Sequence, residues 1–268
     1  MHSASTLAGR YNHRMSSFHG VDLGALTAWG IHCATSVLPP HFSTPPHAHD
    51  EAYFCLVLDG AGSQRSGNVE RYRERGRAYF YPAGEVQSEH FDSSGCRIFR
   101  VQLSDKAMRQ VHDAVRLPDT SVELAGPAAL GLRKLQLESC RDKLLAVQEL
   151  AMTLVATLAR ERCDGVRWGP VVRDFLHSHF TEKLTLRQIA SAVGLHPVHL
   201  SRAFPQRYGV TLGDYLRALR VDYGARLLVA SSQPIASIAL EAGFCSQPHF
   251  TRELKKVMGV TPAAYREC

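Results

Sequence analysis

The sequence has no Cys-x-x-Cys pair, although it contains seven cysteines in 268 residues. That absence argues against a zinc ribbon and against a disulfide framework, because both need cysteines at closely matched spacings. Scattered cysteines are typical of a reducing compartment. The seven positions are Cys33, Cys55, Cys96, Cys140, Cys163, Cys245 and Cys268.

Long hydrophobic runs are also missing. The longest apolar stretch, residues 144–159, is interrupted by Gln148 and Glu149, so the sequence predicts no membrane-spanning helix. The first twenty residues lack the apolar core of a secretory signal peptide. We therefore predict a cytoplasmic location and no membrane partner.

Net charge is almost absent from the first two thirds of the chain. Residues 1–169 carry a net charge of +1, whereas residues 170–268 hold 12 Lys and Arg against 7 Asp and Glu, a net charge of +5. A basic excess confined to one region is typical of a part that binds a polyanion, and a solvated basic surface is the alternative. The composition, 45% hydrophobic and 21% charged, is globular, and the length suits two domains.

Short β-prone runs separated by turn residues occupy residues 20–105. Residues 53–58 end at Asp59-Gly60, residues 77–81 end at Pro82, and residues 96–103 form a third run. Several short strands with turn signals between them predict a β-sandwich or a β-barrel.

Between residues 104 and 165, the spacing of the apolar residues changes to that of a helix. Ser104 is placed to cap a short helix over residues 105–112. After Gly126-Pro127, apolar residues recur at steps of three to four and predict one long helix, which is either a packed strut or a dimerisation helix. Residues 162–170 are interpreted as a linker. The recurring residues are Leu137, Leu144, Leu145, Gln148, Met152 and Val155.

Residues 171–268 contain an internal repeat. Residues 189–195 (IASAVGL) align with residues 238–244 (IALEAGF) at an offset of 49, and residues 209–211 align with residues 259–261 at an offset of 50. Each copy has the pattern of a helix-turn-helix, and a helix over residues 212–230 is predicted to join them.

The apolar stripe of each second helix predicts which side chains face outward. Phe250, Leu254 and Met258 follow the core-facing period, so the opposite face is free to enter a major groove. Arg202 and Arg252 are equivalent in the two copies and are the candidates for base contacts, while Lys255 and Lys256 are candidates for phosphate contacts. The full set of DNA-contact candidates is Val198, His199, Ser201, Arg202, Gln206, Gln247, His249, Thr251, Arg252, Lys255 and Lys256.

These residues carry a family resemblance. The last stretch is similar to the signature of AraC/XylS-type bacterial transcription regulators: Gly243-Phe-x-Ser-x-x-x-Phe250-x-Arg252-x-x-Lys255-Lys256-x-x-Gly259-x-Thr261-Pro262-x-x-Tyr265-Arg266. The resemblance spans about 100 residues and implies a non-enzymatic regulator that binds double-stranded promoter DNA. It further implies a homodimer, with RNA polymerase as a partner if the protein is an activator.

Two residues depart from that family pattern. Leu254 replaces the usual Phe, which is a tolerable core exchange. Pro205 replaces a basic residue within the first recognition helix, where proline removes a backbone hydrogen bond. We therefore expect that helix to bend or end near Pro205 and to make weaker phosphate contacts than the second one.

The N-terminal region resembles a cupin. Residues 45–60 are similar to the first cupin motif and residues 76–84 to the second. The resemblance implies a sensing or dimerisation domain with a small-molecule effector. His47 and His49 are the only ligand-type residues in register for a metal, since Tyr53 and Gln87 stand where Glu and His are expected, so we predict no cofactor. The candidate effector pocket consists of His47, His49, Tyr53, Tyr79, Tyr81 and Gln87.

The predicted fold class is α+β with three regions. Residues 1–105 form a cupin-like β-barrel for sensing or dimerisation, residues 106–168 a helical linker or dimerisation region, and residues 169–268 an AraC-type double helix-turn-helix domain. The predicted function is sequence-specific DNA binding under effector control. Two alternatives stay open: a cupin metalloenzyme with a DNA-binding tail, and an effector-independent DNA binder whose barrel only dimerises. The dimer contact is expected either in the barrel or along residues 130–160.

Overall fold

The computed structural model describes residues 18–110, 117–141, 143–162 and 168–267. The predictions for the first 17 residues, for the end of the helix over residues 105–112, for most of the predicted linker, and for Cys163 and Cys268 lie outside these ranges. In the described part, no helix is long and apolar enough to cross a bilayer.

One antiparallel sheet dominates the first half of the chain. The order along the sheet is β1-β2-β6-β3-β5-β7, and β4 pairs with β3. The three strand runs predicted from the sequence are confirmed as parts of β3, β5 and β6. The strands in the described ranges are β1 (Val21–Ala28), β2 (Ile31–Leu38), β3 (Ala52–Ser66), β4 (Val69–Glu74), β5 (Ala78–Tyr81), β6 (Gln87–Leu103) and β7 (Val122–Leu124).

Alternation along the strands gives the sheet two buried faces. Phe54 and Leu56 point to one face, and Tyr53, Cys55 and Val57 point to the other. We call these the helix face and the arginine face; the second is defined by Tyr53, Cys55, Tyr79, Tyr81, Arg73 and Arg100. The paired strands of the described part end at β1 and β7 without joining each other. The predicted α+β class is thus confirmed, and closure into a cupin-like barrel stays a prediction.

Helices cover the helix face and form the C-terminal region. The helices of the described part are α1 (Asp105–Gln110), α2 (Gly126–Ser139), α3 (Leu144–Arg162), α4 (Trp168–His179), α5 (Leu186–Ala192), α6 (Pro197–Tyr208), α7 (Leu212–Ala230), α8 (Ile235–Glu241), α9 (Gln247–Met258) and α10 (Pro262–Arg266). Ser104 caps α1 as predicted, since its Oγ accepts the Ala107 amide at 3.3 Å.

The single long helix predicted after Gly126-Pro127 is wrong, because two helices replace it. α2 ends at Ser139, and Glu138 then holds the turn by ion pairs to Arg141 at 3.0 Å and Lys143 at 3.2 Å. α3 packs back on α2, and Leu132 and Leu135 of α2 share a core with Leu154 of α3. The apolar spacing continues across the turn, which is why the sequence pattern did not reveal it.

α2 belongs to two cores at once. Ala128, Leu132 and Leu135 pack into the core on the helix face of the sheet. Leu130 and Leu137 pack instead into the core formed by α7, α8, α9 and α10. α2, which the sequence assigned to a linker, therefore packs against both the sheet and the C-terminal region.

A buried ion pair fixes the position of α2 relative to α7. Nε of Arg133 in α2 lies 2.9 Å from Oδ1 of Asp222 in α7, and the side chains are 1% and 2% exposed. Arg133 also donates to the carbonyl of Gly76 in the turn between β4 and β5, and the Gly126 amide donates to Asp222 at 3.2 Å. Burial alone would lower the pKa of Arg133, but Tyr265 and Asp222 outweigh it and raise the pKa. The sheet, α2 and α7 are thus held at one point.

Replacing Arg133 with Met is expected to lower the free energy of unfolding by about 3–5 kcal/mol, because it leaves Asp222 buried without a cation. Urea unfolding followed by circular dichroism measures the loss. The matched control is Arg65→Met, which breaks an exposed pair with Glu70 (65% and 56% exposed) and is expected to cost about 0–1 kcal/mol. Equal losses in the two variants would contradict the role assigned to Arg133.

Candidate nucleic-acid interface and sheet pocket

The first helix-turn-helix unit consists of α5 and α6. Thr185 caps α5 in a capping box with Gln188, which satisfies amides at the start of the helix. Gly194 adopts a φ of +69° in the turn, a backbone conformation that favours glycine. Leu200 and Phe204 are fully buried and hold α6 against its own unit, so the opposite side of α6 faces solvent.

The second unit, α8 and α9, repeats the same backbone hydrogen bonds. In the turns, the Leu195 amide donates to Ala190 and the Phe244 amide donates to Ala239, at 2.8 and 2.9 Å. Both recognition helices end on a left-handed glycine, Gly209 and Gly259, each with a φ of 73°. α7 joins the units over the residues predicted for the connecting helix. The duplication predicted from the sequence is therefore present in the structure.

The predicted DNA-contact residues lie on the outer faces of α6 and α9. Arg202 and Arg252 are both exposed, and the Arg252 side chain is 72% exposed. His249 and Thr251 are half-buried at the edge of that face. The other exposed members of the set are Val198, His199, Ser201, Gln206, Gln247, Lys255 and Lys256.

The sequence analysis missed two residues close to Arg252 and His249, one within α9 and one just before it. Oε1 of Glu253 lies 3.5 Å from Nε of Arg252 and 3.9 Å from Nε2 of His249. Sγ of the exposed Cys245 lies 3.4 Å from Nδ1 of His249. Glu253 therefore competes with any phosphate or base for Arg252. Its position next to an arginine in the sequence was the available signal.

The sequence predicted that α6 would bend or end near Pro205; the end is wrong, while the bend and the weaker phosphate contacts stay predictions. The helix continues to Tyr208, and the Gly209 amide donates to the Pro205 carbonyl at 2.9 Å. Phe204 and Tyr208 are buried on either side of the proline, and their packing holds the helical backbone. The hydrogen bond that Pro205 cannot donate would have gone to the carbonyl of Ser201, an exposed residue that water can reach.

The six predicted effector-pocket residues come together on the arginine face. The rings of His47 and His49 have centroids 4.9 Å apart, and His49 is 5.0 Å from Tyr53. Gln87 Nε2 donates to the Tyr53 hydroxyl at 2.6 Å, and Tyr81 stacks on Tyr53 at 4.7 Å. Tyr79 lies beside Tyr81 at 6.2 Å and completes the six.

The cavity next to these residues, which we call the sheet pocket, is small. His47, His49 and Tyr53 border a cavity of about 10 Å³, which is room for one water molecule. Phe18, Arg73 and Glu89 also line it and were not predicted. Tyr79, Tyr81 and Gln87 stand behind this lining rather than in it. Arg73 and Glu89 form an ion pair at 2.6 Å with side chains 3% and 11% exposed.

The residues of the sheet pocket do not fit a metal ion. The Tyr53 hydroxyl, which stands where the cupin motif has a carboxylate, is bonded to Gln87, and Nδ1 of His47 lies 2.9 Å from the Pro45 carbonyl oxygen. His90 pairs with Ser43 at 2.8 Å and is exposed. In the described ranges, no group of three His, Cys, Asp or Glu side chains could hold a metal ion.

Comparison with known proteins places residues 189–267 in one family model, described as a helix-turn-helix domain. The bifunctional transcriptional activator/DNA repair enzyme AdaA of Bacillus subtilis is 32% identical over 107 residues, which are 40% of this chain and 51% of that protein. The right origin-binding protein of Escherichia coli K12 is 38% identical over 99 residues, which are 36% of this chain and 34% of that protein. The chain thus spans about half or less of these relatives.

A structural likeness extends further along the chain. ToxT from Vibrio cholerae covers 89% of this chain and 98% of its own, with 12% identity and a TM-score of 0.39. That TM-score is too low to define the fold of the whole chain. The family match and the duplicated geometry agree that the C-terminal region contains a helix-turn-helix domain.

Replacing Pro205 with Ala is expected to stabilise the protein by up to about 3 kcal/mol, because the new amide can donate to the Ser201 carbonyl within a helix that already exists. The gain is measured by urea unfolding. Pro248→Ala is the matched control, since Pro248 lies in the first turn of α9, where an amide has no helical acceptor. A stabilisation by the control as large as that by Pro205→Ala would contradict this account.

His49 is expected to make the protein acid-sensitive. Burial, followed by the charges of His47, Arg100 and His19, lowers the pKa of His49 to about 4 from its ordinary 6.5. The unfolded chain therefore binds the proton more readily, and stability is lost as the pH falls from about 6.5 towards 4. The melting temperature of His49→Asn should fall less than that of the wild type between pH 7 and pH 4. Melting temperatures that fall equally in the two proteins would contradict the role assigned to His49.

Proposed function

We propose that the protein is a sequence-specific DNA-binding transcription regulator. The observation that carries the proposal is the duplicated helix-turn-helix unit, in which Arg202 and Arg252 are exposed at equivalent positions on the outer faces of α6 and α9. Arginine is well suited to read guanine in the major groove. The names of the curated relatives, an activator and an origin-binding protein, support the same class of activity.

The two recognition helices take successive major-groove segments of double-stranded promoter DNA, roughly 34–36 Å apart along the duplex. α7 sets their separation, because Tyr215 and Leu219 pack into the first unit and Leu228 into the second. Arg202 and Arg252 contact bases, while Lys255 and Lys256 neutralise phosphates. The remaining members of the DNA-contact set position the helices.

The sheet carries the regulatory role in this proposal, as the site of a small-molecule effector and of homodimerisation. The grouping of His47, His49 and Tyr53 around a small cavity supports the effector role. The regions of the chain are residues 1–105, 106–168 and 169–268, with α2 of the middle region serving both neighbours. RNA polymerase is a partner if the protein activates. The pocket residues do not fit a metal, which argues against the alternative of a cupin metalloenzyme.

Arg252→Ala and Lys256→Ala are expected to weaken DNA binding in different ways. Loss of Arg252 should cost about 1–3 kcal/mol on the preferred sequence and relax specificity at one base pair. Loss of Lys256 should weaken all sequences about equally and reduce the salt slope by about 1. Fluorescence anisotropy on the preferred sequence and on single-base variants, across a salt series, separates the two outcomes.

The preferred sequence comes from selection of random duplexes by the wild-type protein. Arg65→Ala is the matched control, because Arg65 is an exposed arginine in the sheet, distant in sequence from both units. It should leave affinity and salt slope unchanged. Failure of the wild type to enrich any sequence would refute the proposed function, and identical behaviour of the two α9 variants would refute the division into base and phosphate contacts.

A further inference from the structure

Three arginines are almost completely buried in the described part of the chain, and they are not equally satisfied. Arg133 is bonded to Asp222 and Gly76, and none of its nitrogens is left without a partner. Arg73 and Arg100, both on the arginine face, each keep one buried nitrogen without a partner: Nε of Arg73 and Nη1 of Arg100. Their side chains are 3% and 1% exposed. Buried guanidinium donors that lack acceptors point to a missing acceptor.

The charge of Arg100 is the less well compensated of the two. Burial outweighs the attraction of Asp22 and lowers the pKa of Arg100, whereas Glu89 and the neighbouring tyrosines raise the pKa of Arg73 despite its burial. Asp22 is 29% exposed, although it bonds Arg100 at 2.7 Å. Further negative charge near Arg100 would therefore be favourable, whereas Glu89 already neutralises Arg73.

Phe18 occupies the space beside Arg100. Cζ of Arg100 lies 3.9 Å from the centre of the Phe18 ring. The His49 ring stacks on Phe18 at 3.8 Å with an interplanar angle of 10°, and Tyr53 meets it edge-on at 4.9 Å. Phe18 also lines the sheet pocket, which with the ring in place has room for about one water molecule. The three neighbours form a slot shaped for one flat ring.

We propose that this slot is the binding site of a small aromatic carboxylate, which displaces Phe18, places its ring against His49 and Arg100, and gives its carboxylate to the Arg100 guanidinium. The inference rests on the proposed function in one respect, since it assigns a chemical class to the effector. The carboxylate supplies the acceptor that Nη1 of Arg100 lacks, and its ring keeps the cation–π contact now made by Phe18.

The direct test is calorimetric titration of the full chain with 3-phenylpropionate, which joins the benzyl group of Phe18 to a carboxylate. Removing Phe18 frees the slot, so Phe18→Ala should bind this probe at least about tenfold more tightly than the wild type. The neutral isostere 3-phenylpropanamide should bind Phe18→Ala at least about tenfold more weakly than the acid. Arg100→Lys, combined with Phe18→Ala, should lose most of the preference for the acid, because lysine cannot offer the planar fork.

Phe42→Ala is the matched control, since Phe42 is also half-buried and packs against the arginine face but stacks on Phe91 rather than in the slot. It should bind the probe as the wild type does. No binding to Phe18→Ala, or equal binding of acid and amide, would overturn the proposal, and so would a gain in Phe42→Ala equal to that in Phe18→Ala. Circular dichroism verifies that each variant is folded. No DNA is present, so a failed DNA experiment and a failed titration refute different claims.

Discussion

The ion pair between Arg133 and Asp222 is the contact on which the arrangement of the whole chain depends. Two charges buried to 1% and 2% exposure are expensive to desolvate, and they are tolerated only where every donor finds an acceptor. The surrounding backbone meets that demand. The Gly76 carbonyl comes from the turn that joins β4 and β5 of the sheet, and the Gly126 amide comes from the start of α2. At Gly76 a side chain would meet Val229 at 3.0 Å, so the close approach of sheet and α7 also requires glycine there. Sheet, α2 and α7 therefore cannot shift separately without leaving a buried charge unpaired.

That constraint makes α2 the common support of sheet and second helix-turn-helix unit. Leu130 and Leu137 reach into the same core as Phe250 and Leu254, the residues that hold the recognition helix α9 from behind. On its other side, α2 rests on the helix face of β3, where Phe54 and Leu56 alternate with Tyr53 and Cys55 of the arginine face. One strand thus lines the slot occupied by Phe18 on one side and supports α2 on the other. The sheet and α9 therefore contact different sides of the same helix, α2.

The sequence predicted the two repeated units but did not predict that three arginines are buried. The offsets of 49 and 50 residues were sufficient for both units and for α7, because turn glycines recur with them and the capping threonines Thr211 and Thr261 are 50 residues apart. The break between α2 and α3 was not predictable from apolar spacing, which runs through it undisturbed. Arg73 and Arg133 stand beside other charged residues and look like surface positions, whereas Arg100 lies between Phe99 and Val101 in a predicted strand. The pairing of Arg100 with Cys55 across β6 and β3, and with Ala34 across β6 and β2, shows that its side chain shares a face with buried residues. Pro205 was misjudged for a related reason, since local propensity took no account of the packing of Phe204 and Tyr208.

The two helix-turn-helix units have similar backbone structures but differ in the charged residues of their recognition helices. α9 carries Lys255 and Lys256 in its last turn, whereas Arg207 is the basic residue in the last turn of α6. Cations there favour the negative end of a helix dipole, and they also increase the attraction to phosphate. α9 has in addition Glu253 beside Arg252, which holds the arginine until a stronger acceptor replaces the carboxylate. A guanine edge offers two acceptors in the plane of the guanidinium, while a single phosphate contact competes less well with a neighbouring carboxylate. If Arg252 reads a base as we propose, Glu253 raises its selectivity by competing with phosphate, and Lys255 and Lys256 supply affinity by attracting phosphate.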